Sequence, residues 1–186
     1  SAFKVNCVQC HGADAAGSVG FANLNDDDWL WGGTLDDIYT TIRNGVRFVG
    51  NDETRVSEMT AFGRHGILDR QQIDQVAQHV LALARLEHDP AAAEAGAALF
   101  AENCAACHGE AGEGSRELGA PTLNDAVWLY GSDPDSIRAQ IDAPRHGVMP
   151  AWGGRLDETT LKQLAVYVHG LGGGENMPPQ GDVLSE

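Results

Sequence analysis

The sequence predicts an all-α protein made of two tandem copies of one helical unit. Three observations predict it. The chain repeats itself in order from its first residues to near its end. Apolar residues recur at helical spacing behind N-cap signals. No sustained period-two alternation suggests sheet.

The repeat begins with Phe3, Cys7, Cys10 and His11, which match Phe100, Cys104, Cys107 and His108. The segment from Leu24 to Gly32 follows, with Trp29, and is answered by Leu123 to Gly131, with Trp128. Ile38 and Ile42 match Ile137 and Ile141. Met59-Thr60-Ala61-Phe62-Gly63 matches Met149-Pro150-Ala151-Trp152-Gly153. Each copy closes on an apolar helix, with Ile73, Val76, Ala77 and Val80 corresponding to Leu161, Leu164, Ala165 and Val168.

Local signals set the elements. Thr34-x-x-Asp37 and Ser132-x-x-Asp135 read as N-caps with an acid in the first turn. Asp69-x-x-Gln72 reads as a capping box. Residues 92–103 should form a helix leading into the second cysteine motif. His88-Asp89-Pro90 breaks the pattern and marks a boundary. The expected organisation is a first domain over 1–88, a second over 89–171 and a flexible Gly- and Pro-rich tail over 172–186. The first copy opens so close to Phe3 that its leading helix is expected to be cut short, with an extension upstream.

Composition narrows the function. The 186 residues carry a formal net charge of -15. So acidic a surface repels nucleic acid and anionic lipid and favours a partner with a basic face. No run of about 18 apolar residues is present to span a membrane.

The four cysteines fall as two C-x-x-C pairs, each followed at once by histidine. This is the attachment signature of c-type haem. Cys7 and Cys10, three apart on a helix, share a face and can take the two vinyl groups of one porphyrin, with His11 held under the iron. Cys104, Cys107 and His108 repeat the arrangement, so two covalent haems are expected. A thioredoxin-like pair would need a βαβ setting, and a zinc site would need the two distant motifs brought together.

The sixth ligand decides what such a haem does. Of three methionines, Met59 and Met149 occupy matching places between the Trp segment and the closing helix, and Met177 lies in the tail. His/Met ligation raises the potential and suits electron transfer. His65 and His146 have no counterpart in the other copy and read as surface residues or as neighbours of the site, and His79, His88 and His169 as surface residues. Trp29 and Trp128 either donate to haem propionates or pad the haem edge. Arg43 and Arg145 are candidate propionate partners. The long stretch 46–58 ahead of Met59, and the lack of a following proline, predict a more labile Met59–iron bond than Met149 makes.

The tandem motifs, with "CAACHGEAGEGS", "GAPTLNDAVWLYG", "HGVMPAWGGRLD" and "LAVYVHGLGGG", resemble the di-haem subunit of cbb3-type cytochrome c oxidases. The resemblance implies two class I cytochrome c domains. It pairs Cys7, Cys10 and His11 with Met59 on the first haem, and Cys104, Cys107 and His108 with Met149 on the second. It implies an upstream membrane anchor not contained in this chain, and haem domains on the periplasmic face of the bacterial inner membrane. Electrons would pass from a soluble cytochrome to the mono-haem subunit and then to the catalytic subunit. A free-standing soluble di-haem carrier and a di-haem peroxidase are the rival readings; the second needs an open distal position.

Overall fold

Eight helices follow one another in the structure, a computed structural model that describes residues 2–176: α1 (Ala2–Asn6), α2 (Val8–His11), α3 (Leu35–Asn44), α4 (Arg70–Leu83), α5 (Pro90–Asn103), α6 (Ala105–His108), α7 (Pro134–Asp142) and α8 (Glu158–His169). Extended pairing among the described residues is limited to isolated bridges, such as Val46 with Met149. No helix among them is long and apolar enough to cross a membrane.

The expected caps form where side chains can reach orphan N–H groups. Thr34 accepts from the Asp37 N–H at the head of α3, and Asp69 with Gln72 closes a capping box on α4. Asp157 caps α8. At α7 the cap is Asp133, not the expected Ser132: Pro134 takes the first helical position, where its missing N–H costs nothing, and sets the start one residue later. Helix α5 likewise begins earlier than expected, with Asp89 capping and Pro90 at its first turn.

The buried residues form two clusters, and these do not follow the division at residue 88. One gathers Phe3, Ile38, Ile42, Leu161, Leu164, Ala165 and Val168, from α1, α3 and α8. The other gathers Phe62 and Leu68 from the segment before α4 with Ile73, Val76, Val80, Leu81, Phe100, Ile137 and Ile141 from α4, α5 and α7. The last helix of the second repeat therefore packs on the first repeat, and the last helix of the first repeat packs on the second. An inner unit, running roughly from Met59 to Asp142, is nested within an outer unit made of both chain ends.

The crossing is fixed by backbone bonds that occur in matched pairs. Trp152 and Gly153 donate to the carbonyls of Ile42 and Arg43 at the end of α3; Phe62 and Arg64 donate to those of Ile141 and Asp142 at the end of α7. Val46 and Met149 exchange two bonds of 3.0 Å where the two segments meet. Gly45, at φ +72°, permits this, because a Cβ there would strike the Met149 carbonyl.

Within the inner unit α4 and α5 lie so close that a Cβ on Gly96 would run into the Gln75 carbonyl. Gly96→Ala must push the helices apart. It is expected to cost about 1–3 kcal/mol, read as a lower urea midpoint with unchanged slope.

The start of the expected tail is docked. Gly172 and Gly173 pass tight against the carbonyls of Asn25 and Asp26, an approach that side chains would block. Glu175 exchanges two bonds of 2.9 Å with Gly33 and pairs with Arg116. Glycines that suggest looseness in sequence here serve close packing. Met177 and the rest of the tail lie outside the described residues.

Candidate haem sites

Each cysteine motif lies on a short helical turn that continues from the helix before it. Cys7 N–H bonds the Phe3 carbonyl and His11 N–H the Cys7 carbonyl; Cys104 and His108 repeat this with Phe100 and Cys104. The phenylalanines anchor the turns from beneath, Phe3 being 2% and Phe100 1% exposed. They pack on the closing helices, Phe3 with Tyr167 at 5.0 Å and Phe100 with His79 at 5.2 Å between ring centroids. Both motifs then turn sharply at glycine, Gly12 at φ +82° and Gly109 at φ +78°.

The histidines are oriented by the backbone. His11 Nδ1 lies 2.9 Å from the Ala22 carbonyl, and His108 Nδ1 lies 3.0 Å from that of Pro121. A carbonyl can only accept, so each Nδ1 carries a proton, and in the neutral ring Nε2 then keeps its lone pair. That is the tautomer a metal-ligating imidazole needs, with its outer nitrogen held by a fixed acceptor. Burial also holds His108 below the ordinary histidine range, against the pull of its Pro121 bond, and so favours the neutral ring.

Cys7 and Cys104 point towards the cores, and Cys10 and Cys107 are exposed. Before any thioether forms, burial and then Cys107 push the Cys104 thiol up to about 11; burial and then Cys10 raise Cys7. Among the described residues no group of three or more His, Cys, Asp or Glu side chains gathers that could hold a metal ion.

The methionines are exchanged relative to the expected pairing. Met149 packs on the cluster that includes Cys7, Val8, Leu24 and Trp29. Met59 packs on the cluster that includes Cys104, Ala105, Leu123 and Trp128. Because the chain crosses at Val46, each methionine segment is delivered to the motif of the other repeat. The stretch 46–58 is also tied down: Thr54 Oγ1 accepts from the Phe48 N–H at 3.1 Å, and Asn51 Nδ2 donates to the Asn44 carbonyl at 3.2 Å. These bonds restrain part of the stretch ahead of Met59.

The tryptophans differ. Trp29 Nε1 donates to the Gly173 carbonyl at 2.7 Å, so the chain itself satisfies that indole. Trp128 Nε1 is buried without a partner, and a buried indole N–H calls for an acceptor. Both candidate arginines have protein partners. Arg43 reaches the Tyr39 hydroxyl, and Arg145 stacks on Tyr130 at 4.6 Å and bonds Gln140. His146 does sit beside the site: its Nε2 accepts from the Met59 N–H at 2.9 Å. His88 and His169 satisfy themselves on nearby carbonyls. The sequence reading missed the carbonyls of Ala22, Pro121 and Gly173, whose contributions carry no side-chain signature.

Between the two Trp segments lies a cleft of about 580 Å³, lined in part by Asp27, Asp28, Glu113, Arg116 and Asp125. Burial, and then Asp125, Asp26 and Asp27, push the Asp28 carboxyl up to about 6, against Arg116. Its folded pKa lies above the unfolded value of about 3.9, so the folded state binds the proton more tightly. The resulting stability is complete below pH ~4 and is lost as pH rises through about 6. Asp28→Asn should remove this dependence and raise stability at pH 8 by about 1 kcal/mol, discounted because the group is only half-buried. Melting curves at pH 5 and pH 8 check it.

The residues present fit a c-type haem in each unit: a thiol pair, an imidazole oriented through Nδ1, a methionine packed on the same cluster and, in the inner unit, an indole donor without an acceptor. Comparisons with known proteins give the family. The profile of the family described as cytochrome C oxidase, cbb3-type, subunit III matches residues 1–80 and again 91–168. The chain is similar to the cbb3-type cytochrome c oxidase subunit CcoP of Cereibacter sphaeroides, 55% identical over 173 residues, covering 93% of this chain and 60% of that protein. It is equally similar to the subunit FixPc of Rhizobium leguminosarum, 55% identical over 174 residues, covering 94% of this chain and 60% of the relative. The FixP subunit of Sinorhizobium medicae is 54% identical over 175 residues, with the same shares. The chain thus spans 60% of the length of these relatives.

Proposed function

The chain belongs to the family of subunit III of cbb3-type cytochrome c oxidase, and from that premise we propose that it is a di-haem electron relay within such an oxidase. It takes electrons from a soluble cytochrome and passes them to the mono-haem subunit and the catalytic subunit, at the periplasmic face of the bacterial inner membrane. Each unit is a cytochrome c unit carrying one covalent haem. Cys7, Cys10 and His11 hold the outer haem, with Met149 as distal ligand. Cys104, Cys107 and His108 hold the inner haem, with Met59.

The observation that carries this reading is the matched pair of histidines, each with Nδ1 bound to a carbonyl at 2.9–3.0 Å and each with a methionine packed in the same unit. A bound c-type haem supplies a one-electron iron couple, and His/Met ligation places its potential high. The protein's own part would be to hold His11 and His108 through backbone carbonyls and Met59 and Met149 through packing on the two clusters, so that little rearranges when charge changes. Met59 and Met149, as ligands opposite His108 and His11, would leave no open position for peroxide, as a relay and not a peroxidase requires. Trp128 Nε1 would donate to a propionate of the inner haem.

The test is haem stoichiometry. A pyridine haemochrome assay and the intact mass after acid–acetone extraction should give two non-extractable haems per chain. Cys7→Ser with Cys10→Ser, and separately Cys104→Ser with Cys107→Ser, should each leave one. A single haem in the unmodified chain, or haem lost on extraction, overturns the reading.

A further inference from the structure

Arg47 stands where the two units exchange chains. It follows Val46, which is bonded twice to Met149, and its guanidinium reaches in two directions. Nε donates to the Gly147 carbonyl at 2.7 Å, and Nη1 donates to the Ser57 carbonyl at 2.9 Å. Gly147 stands two residues before Met149, and Ser57 two before Met59. One planar side chain therefore grips the backbone leading into both methionines. A guanidinium suits this because its donors diverge in a fixed fork and its charge strengthens each bond.

The backbone bears the cost of that placement. Arg47 adopts φ +52°, a left-handed conformation that a long side chain keeps only where its surroundings impose it. Its N–H bonds the Arg55 carbonyl at 2.8 Å, and the Arg55 N–H returns to the Gly45 carbonyl at 3.2 Å. His146 adds a tie from the other side, its Nε2 accepting from the Met59 N–H. The strained residue, the double grip and the chain crossing coincide at one point.

We propose that Arg47 is a positioning residue shared by both haem sites, setting the backbone path that presents the Met59 and Met149 sulfurs to their irons. The proposal rests on the reading of those two methionines as distal ligands. Losing one side chain should therefore weaken the methionine–iron bond at both haems, although each methionine serves a different one.

The experiment uses the full chain with both haems attached, and the two single-haem variants named above to assign each signal. Arg47→Gly removes the fork but accepts φ +52° without strain, so the backbone is free to keep its course. Arg47→Lys keeps a charge but offers a single ammonium in place of the two-way fork. The readouts are carbon monoxide affinity of the reduced protein and the long-wavelength sulfur-to-iron absorption of the oxidised protein. Arg47→Gly should raise carbon monoxide affinity about tenfold at each haem, the scale of one lost charge-assisted bond, and weaken both absorptions. Arg47→Lys should fall between it and the unmodified protein, and it carries the test should the glycine variant fail to fold. The proposal is overturned by a change at one haem alone, or by a lower melting temperature with both affinities unmoved. Met59→Ala and Met149→Ala serve as controls, each opening one haem. Should neither open a haem, the ligand reading itself falls, a result distinct from failure of Arg47 alone.

Discussion

Once the inner haem is removed by Cys104→Ser and Cys107→Ser, Met149→Ala is expected to abolish the sulfur-to-iron absorption of the remaining haem, and Met59→Ala to leave it intact. The remaining haem would be held by Cys7 and Cys10, and the cluster against which Cys7 packs holds Met149 and not Met59. The converse holds on the background lacking Cys7 and Cys10, where the Cys104 cluster holds Met59. The effect is all or none, because replacing a thioether by a methyl group leaves no sulfur to bind. Loss of the absorption in the opposite pattern would mean that each methionine serves its own repeat.

Cutting the chain at the repeat boundary is expected to destroy both units, whereas cutting around the inner unit preserves one. Residues 1–88 keep α4 but lose α5, and so expose the face carrying Ile73, Val76, Val80 and Leu81, all buried in the intact chain. Each such side chain loses about 1.5–3 kcal/mol of burial, and four together rival the ~5–15 kcal/mol that holds a typical domain. Residues 57–145 keep α4, α5, α6, α7 and Met59 together. Thermal melts followed by circular dichroism should show a cooperative transition for 57–145 and none for 1–88. A cooperative transition in 1–88 with methionine-ligated haem would show that the exchange of segments is not needed for folding.

These two results separate what the sequence makes legible from what it hides. The haem turns, the caps at Thr34 and Asp69 and the buried pairs Ile38–Ile42 and Ile137–Ile141 all follow from local spacing, and local spacing is what a sequence records directly. Which closing helix meets which motif does not follow. The repeats present near-equivalent faces, so α8 and α4 satisfy the same apolar pattern in either arrangement, as in segment exchange between identical protomers. The decision lies in the backbone path at Gly45 and Val46, where no side-chain pattern announces it. The Ser132–Asp133 difference is of another kind: two adjacent residues can both cap, and Pro134 selects one. Residues 172–175 mislead because glycine serves loose chain and close approach alike, and here only the facing carbonyls of Asn25 and Asp26 tell them apart.

The nesting of one unit inside the other also imposes an order in time. Helices α4 and α5 are neighbours in sequence and can pair as soon as both are made, the fast local contact that favours rapid folding. Helix α3 must wait for α8, and Cys7 for Met149, across the entire length of the inner unit. On a chain made from its N-terminus, the first cysteine motif to emerge belongs to the last unit to close. Cys7 and Val8 therefore wait for α8 and Met149 before their cluster is complete, while the inner unit can close earlier.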